Sequence, residues 1–190
     1  IVIYEDFRRI YPDPFALSHL LGFAGKASAA DLARFNGLSE QDTVGKSGVE
    51  LAYDELIRGK AGKKIVEVDA SGKESRFKSV EEPRAGKNIQ VTIDGDLQKF
   101  AYRMLMHYTE GKKGGSAVVV DPRGGEVRAL VSVPGFDSNR FGYSLSQKEF
   151  DAVLNDPLRP LFNRAISGEF PSGSTIKPLI AAAALQENII

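Results

Sequence analysis

The chain has 190 residues, 42% of them hydrophobic and 26% charged, so it can bury a core as one or two globular domains. Its 25 basic and 25 acidic residues balance, which argues against a nucleic-acid binder. The lack of cysteine excludes disulfides and thiolate catalysis, and no uninterrupted apolar run reaches the ~20 residues of a membrane span. We expect neither a metal nor a cofactor.

The first half of the chain, residues 1–88, is polar and rich in glycine. The segments "SAADLARFNGL" and "GVELAYDELIRG" predict short helices, the second ending at Gly59. The apolar face of this second helix would consist of Val49, Ala52, Tyr53, Leu56 and Ile57. "KKIVEVDASGKES" predicts a strand, a turn and a second, polar strand. Residues 81–88, "EEPRAGKN", are the best candidate for a linker.

The second half is more regular. "IQVTI" alternates like a strand, and Asp94 can cap the helix that follows it. One face of that helix carries, at helical spacing, Leu97, Phe100, Ala101, Met104, Leu105 and Tyr108. "SAVVVD", a turn at "PRGG" and "EVRALVSV" predict a β-hairpin of buried character, and "SLSQKEFDAVLND" predicts a helix. Hairpin-paired strands with helices on either side predict the α+β class, with domains at 1–88 and 89–190.

The last segment, "GEFPSGSTIKPLIAAAALQENII", is the most informative. Pro178 has no N–H group and is tolerated in a first helical turn, so a helix should begin close to Ser174. Lys177 would project from the same side, one turn up. The run "PLIAAAAL" is apolar nearly all round, so we expect a buried helix. Burial and the helix dipole disfavour the ammonium form of Lys177, and a neutral amine can take the proton of the Ser174 hydroxyl.

Ser-x-x-Lys alone is a weak signal, because Gly173 and Ser174 could simply cap a helix whose lysine faces water. A second copy, "SRFK" at residues 75–78, lies in a charged stretch with no apolar helix after it, and we interpret it as solvated strand or loop. A phosphate-binding loop would need a lysine directly after Gly173, where Ser174 stands.

"FPSGSTIKP" resembles the active-site serine motif of the penicillin-binding proteins, in which Ser-Asp-Asn and Lys-Thr-Gly motifs accompany Ser-x-x-Lys. "NIQVTIDGDLQ", "SAVVVDPRGGEVRALVSVPGFDSNRF" and "PLFNRAISGEFPSGSTIKP" resemble, in order, the opening of a class B transpeptidase domain. Upstream, "RRIYP", "SHLLGFAG", "VGKSGVELAYDELIRGKAG" and "VEVDASGKE" resemble the dimerisation-like pedestal region before it. "TVGKSGVE" favours the elongation type over the division type.

The resemblance implies an irregular pedestal at 1–88 and, at 89–190, the N-terminal part of a transpeptidase domain with an antiparallel sheet and helices. Ser174 would attack the D-Ala-D-Ala bond of a cell-wall stem peptide, with Lys177 as general base and the Ser174 backbone N–H as an oxyanion donor. An amine of a second stem peptide would resolve the acyl-enzyme into a cross-link, and β-lactams would trap the same serine.

The implied partners are peptidoglycan stem peptides, β-lactams and, through the pedestal, a SEDS-family polymerase and elongation scaffold proteins. The implied location is the periplasmic or extracytoplasmic face of the bacterial envelope, with a membrane anchor upstream of residue 1. Both ends look cut, and the chain stops before a Ser-x-Asn or Lys-Thr-Gly motif could follow Ser174. We therefore expect the substrate-binding residues elsewhere and the chain alone to be inactive.

Further residues and alternatives complete the interpretation. Pro171-Ser172 stands where the family usually has two prolines, which should loosen the loop slightly. Asn163 and Arg164 match the family's pattern and are interpreted as loop-positioning residues, His107 as exposed and His19 as a partly buried packing residue.

A serine β-lactamase or β-lactam-sensing domain shares the serine motif, but the pedestal-like half argues against it. A non-catalytic assembly module of the elongation machinery is a second alternative.

Overall fold

The computed structural model of the chain describes residues 9–35, 37–60, 63–68, 74–143 and 145–189. The helices within these ranges are α1 (Ser18–Leu21), α2 (Ala29–Arg34), α3 (Gly48–Ala52), α4 (Asp54–Ile57), α5 (Gly95–Tyr108), α6 (Ser138–Tyr143), α7 (Gln147–Leu154), α8 (Arg164–Ser167) and α9 (Lys177–Gln186). The strands are β1 (Ala24–Lys26), β2 (Thr43–Gly45), β3 (Lys63–Val68), β4 (Glu74–Glu81), β5 (Gly115–Val120) and β6 (Val127–Val133). They pair antiparallel as β1–β2, β3–β4 and β5–β6. The α+β prediction is confirmed.

Side-chain caps fix several helix starts. Asp94 caps α5 as predicted, and its Oδ1 accepts hydrogen bonds of 3.0 Å from the backbone N–H groups of Asp96 and Leu97. The helices predicted in "SAADLARFNGL" and "SLSQKEFDAVLND" are α2 and α7, and each begins with a reciprocal capping box, at Ser28 and at Ser146. Each cap satisfies N–H groups that a helix end leaves without partners.

The helix predicted in "GVELAYDELIRG" is broken into α3 and α4 at Tyr53, and its predicted apolar face is wrong. Tyr53 and Leu56 are exposed, whereas Glu50 and Asp54 are buried at 9% and 3% exposure. Polar partners compensate these carboxylates, because burial of a charge is tolerated only where it is paired and hydrogen-bonded. Asp54 Oδ1, for example, accepts a 2.8 Å hydrogen bond from the backbone N–H of Gly45.

The Glu50 carboxylate links α3 to the chain near residue 10. Its Oε1 accepts a 3.2 Å hydrogen bond from the Tyr11 hydroxyl and lies 3.2 Å from Arg9 Nε. The same hydroxyl accepts a 2.9 Å bond from the backbone N–H of Ala24 on β1. Burial, and next the Glu50 charge, raise the pKa of Tyr11 above its usual value, so the phenol remains a donor.

The segment "IQVTI" does not form the predicted strand. It runs beside the start of β6 through single hydrogen bonds, with Thr92 Oγ1 donating to Val127 O at 2.8 Å and Asp94 N donating to Arg128 O at 2.9 Å. Thr92 bonds β6 through its side chain and not through its backbone, so no backbone ladder forms here although the apolar residues alternate.

The hairpin β5–β6 packs against α5, and its buried face belongs to β6. Ala129, Val131 and Val133 have 0% exposure, whereas Val118, Val119 and Val120 on β5 remain 38–48% exposed. The hairpin prediction is confirmed, but only β6 has the predicted buried character. The two strands are antiparallel, with Ala117 of β5 paired with Val131 of β6.

The face of α5 that meets β6 differs from the apolar stripe predicted for it. Gln98 has 0% exposure, whereas Phe100 and Tyr108 are 52% and 81% exposed. Gln98 Oε1 accepts from the backbone N–H of Leu130, and Nε2 donates to the carbonyls of Leu130 and Ala16, each at 2.8 Å. The Gln98 amide can be buried because its oxygen and nitrogen are both hydrogen-bonded. It bonds the backbone of Leu130 as a neighbouring strand would.

Residues 9–27 belong to the first half of the chain but pack against its second half. The side-chain amide of Asn139 pairs with the backbone of Tyr11. Its Oδ1 accepts from the Tyr11 N–H at 2.8 Å, and its Nδ2 donates to the Tyr11 carbonyl at 3.0 Å. Phe23, Phe136 and Phe141 form an aromatic cluster with ring centroids 4.9–6.0 Å apart. The predicted division near residue 88 stays a prediction, and these contacts cross it. Residues 82–85 and 87–88 of the predicted linker are exposed.

Candidate active site

Ser174 lies in a single turn of 3₁₀-helix, Gly173–Ile176, that runs directly into α9. Gly173 has φ of +55°, and nothing lies within 4 Å of a Cβ built on it, so the backbone conformation and not crowding favours glycine there. The Lys177 N–H donates to the Ser174 carbonyl, and Pro178 lies in the first turn of α9. The predicted helix start is confirmed, with a 3₁₀ turn before the α-helix proper.

The 3₁₀ geometry brings Ser174 and Lys177 to one side of the chain, because residues three apart are eclipsed in such a turn. Both residues are exposed. The cap position of α9 is Ile176, so the serine is not its N-cap. Thr175 instead makes the local bond, its Oγ1 donating to the Ser172 carbonyl. Among the described residues, the Ser174 hydroxyl has no hydrogen-bond partner, which leaves it available to a substrate.

The helix that carries Lys177 is not buried in this chain, contrary to the prediction from its apolar sequence. Leu179, Ile180 and Leu185 are 69%, 58% and 62% exposed. Apolar composition predicts that a helix prefers cover but does not identify the residues that cover it. The predicted desolvation of Lys177 therefore has no basis among the described contacts.

The chain before the serine turn is held to the hairpin by Asn163 and Arg164. Asn163 Oδ1 caps α8 by accepting a 3.1 Å hydrogen bond from the Ala165 N–H. The Arg164 N–H donates to Ser132 Oγ on β6 at 3.0 Å, and that hydroxyl donates to the Phe162 carbonyl at 3.2 Å. The sequence pattern predicted positioning roles for Asn163 and Arg164. It did not indicate Ser132, because the hydrogen bonds of Ser132 to this segment depend on where β6 lies.

The remaining candidate residues take other places. The second Ser-x-x-Lys copy lies on β4, so Ser75 is in a strand and not at a helix start. His107 is exposed on α5, and His19 packs edge-on against Phe136 with ring centroids 5.4 Å apart. Burial is the main cause that lowers the pKa of His19 to about 4, so its imidazole is neutral near pH 7.

Within the described ranges, no group of three or more His, Asp or Glu side chains is placed to hold a metal ion. None of the described helices has the length and apolar character needed to cross a membrane.

A serine and a lysine three residues apart at a helix start, following in sequence a hairpin packed on a helix, are typical of the serine acyltransferases that recognise penicillin. The sequence model of the penicillin-binding protein dimerisation domain matches residues 1–91, and that of the penicillin-binding protein transpeptidase domain matches residues 115–190. The two models together match most of the chain, which belongs to the penicillin-binding proteins, as its motifs predicted.

The relatives agree with the elongation-type resemblance. The chain is 38% identical to the peptidoglycan D,D-transpeptidase MrdA of Escherichia coli K12 over 189 residues, 96% of this chain and 29% of MrdA. It resembles PBP2 of Helicobacter pylori, solved in complex with MreC, with a TM-score of 0.77, 32% identity and coverage of 94% of this chain and 32% of that one. For PBP2 of Pseudomonas aeruginosa, solved with WCK 5153, the TM-score is 0.79, the identity 29% and the coverage 100% and 37%. The chain thus spans less than a third of MrdA.

Proposed function

We propose that this protein cross-links peptidoglycan as a serine D,D-transpeptidase and is acylated by penicillin. The observation that carries the proposal is the 3₁₀ turn, which presents an exposed Ser174 three residues before Lys177 at the start of α9. The transpeptidase-domain match over residues 115–190 and the similarity to MrdA support it.

In the first step, Ser174 Oγ attacks the carbonyl carbon between the two D-Ala residues of a stem peptide while Lys177 takes the hydroxyl proton. The C–N bond breaks, the proton passes to the leaving amine, and D-Ala departs. An amine of a second stem peptide then attacks the ester, and Ser174 regains its proton. The Ser174 N–H, at the positive end of α9, can donate to the oxyanion in both steps.

The chain supplies a nucleophile and a base, whereas the family's Ser-x-Asn and Lys-Thr-Gly motifs do not occur in its sequence after Ser174. A Lys-Thr-Gly strand would supply the second oxyanion donor, and loss of one such donor costs about 10²–10³ in rate. We therefore expect little penicillin labelling of the 190-residue chain and strong labelling of a longer protein that carries both motifs.

A fluorescent penicillin tests the proposal in the full-length protein. Ser174→Ala should abolish covalent labelling, and Ser75→Ala, the matched change in the second Ser-x-x-Lys copy, should leave it intact. Lys177→Ala should slow acylation by at least roughly 10²-fold, the low end for a lost general base. Labelling that survives Ser174→Ala would refute the assignment.

We further propose that the pedestal binds elongation proteins at the periplasmic face of the bacterial envelope, with an N-terminal segment as membrane anchor. The relative from Helicobacter pylori was solved with MreC, which supports a scaffold protein of that kind as one partner. A SEDS-family polymerase is the second proposed partner. Co-purification of each partner with the full-length protein tests the proposal, and the absence of both partners would contradict it.

A further inference from the structure

The guanidinium of Arg164 is held by backbone carbonyls. Nη1 donates to the carbonyls of Arg159 at 3.2 Å and Phe162 at 3.4 Å, and Nη2 donates to the Leu158 carbonyl. One side chain thus fastens three points of the loop 158–162. The guanidinium also lies 5.7 Å from the centre of the Phe162 ring.

Gly114, which directly precedes β5, makes room for this guanidinium. A Cβ built on Gly114 would lie 2.6 Å from Arg164 Cζ and 2.8 Å from Nη2, closer than a Cβ approaches such atoms in real structures. The φ of Gly114 is not in the left-handed region, so a side chain here would act by displacing the Arg164 guanidinium and not through backbone strain. The half-buried Arg164 side chain therefore lies between the loop 158–162 and the start of the hairpin.

The backbone at Arg164 is attached to the other hairpin strand. Its N–H donates to Ser132 Oγ on β6, and its side chain lies against Gly114 before β5, so the loop meets both strands at the open end of the β5–β6 pair. Only residues 168–172 separate α8 from the 3₁₀ turn that carries Ser174. A shift of the loop would therefore be transmitted over a short stretch of chain to the nucleophile.

We propose that Arg164, seated against Gly114, is a positioning residue that sets the place of the Ser174 turn relative to the β5–β6 hairpin. The inference rests on the proposed function, because its consequence is the rate at which Ser174 is acylated. Arginine suits this role because its planar fork presents five donors in fixed directions. Lysine offers one ammonium on a flexible stem and cannot reach three carbonyls in the same geometry.

The first test compares Arg164→Lys with Arg159→Lys in the full-length protein. Arg159 stacks on the same Phe162 ring, with Cζ 4.6 Å from its centre, but is exposed. We expect Arg164→Lys to lower the acylation rate constant at saturating fluorescent penicillin by roughly 10- to 100-fold, the effect of about 1 Å of misplacement. The final fraction of labelled protein should be unchanged, and Arg159→Lys should stay within about twofold of wild type.

The labelling end point separates positioning from general stability. A purely structural role would reduce the labelled fraction while the surviving molecules reacted at the wild-type rate, and that result would overturn the proposal. An unchanged rate for Arg164→Lys would do the same. If wild-type protein is not labelled at Ser174 at all, the proposed function fails instead.

Gly114→Ala provides an independent variant that keeps the guanidinium and removes its space, with Gly95→Ala as control because nothing lies within 4 Å of a Cβ at Gly95. We expect Gly114→Ala to lower the acylation rate roughly as Arg164→Lys does, and Gly95→Ala to leave it unchanged. In an Arg164→Ala background, adding Gly114→Ala should have little further effect, since the clash is gone. Additive losses would contradict the proposed contact. If Arg164→Lys does not accumulate as folded protein, Gly114→Ala decides the question.

Discussion

Replacement of Gln98 by leucine is the most direct test of how the hairpin is held to α5. Leucine is close to glutamine in size but removes the Gln98 hydrogen bonds of three backbone groups: the Leu130 N–H, the Leu130 carbonyl and the Ala16 carbonyl. An unsatisfied buried group costs about 1–3 kcal/mol. Leu130 and Ala16 are half-buried, so we take the low end for each group and expect a loss of about 3 kcal/mol of unfolding free energy.

The matched control is Gln147→Leu on α7, where the amide is exposed and donates to Asp151 Oδ1 at 2.8 Å. A surface change of this kind should cost less than about 0.5 kcal/mol. Thermal melting of the purified full-length proteins compares the two substitutions. For a domain of this size, the difference should lower the melting temperature of Gln98→Leu by roughly 6 °C or more.

Hydrogen exchange gives a local measure of the same effect. The Leu130 N–H donates to the Gln98 side chain, so Gln98→Leu should speed its exchange by at least about 10-fold. Equal melting temperatures for Gln98→Leu and Gln147→Leu, with unchanged exchange at Leu130, would refute the assignment of Gln98 as the partner of β6.

Two further predictions concern pH and the domain boundary. The pKa of His19 is about 4 in the folded chain and about 6.5 in an unfolded one, so the unfolded state binds more protons between these values. Stability should therefore fall as pH decreases from about 6.5 to about 4. Urea unfolding across that range should show that His19→Gln lacks this part of the pH dependence. An identical pH dependence in both proteins would exclude His19 as its source. Limited proteolysis should cut within residues 81–88 before it cuts within the hairpin at 115–133, and early cleavage inside the hairpin would count against the predicted boundary.

Elements that depend on local chemistry could be predicted from the sequence. The Asp94 cap and the β5–β6 hairpin follow from neighbouring residues, and so does the helix start near Ser174, because Pro178 restricts where a helix can begin. The buried polar residues could not be predicted in this way. Glu50 and Gln98 occupy core positions where they bond partners distant in sequence, Tyr11 and Leu130, and hydrophobic periodicity does not indicate such partners.

The candidate site shows the same division between local and distant information. The motif predicts Ser174 and Lys177 as site residues from four positions, since a 3₁₀ turn or a helix start puts residues three apart on one side. Their position in the molecule depends on contacts that no motif contains, such as those of Arg164 with the loop 158–162 and with the space left at Gly114. A serine of ordinary reactivity becomes a nucleophile only when its base and its oxyanion donors are held in place, and a displacement of about 1 Å can cost about 10²-fold in rate. Substitutions outside the serine motif, at Gly114 or Arg164, should for this reason alter acylation more than changes at exposed neighbours such as Ser172, whose side chain makes no cap hydrogen bond to the turn.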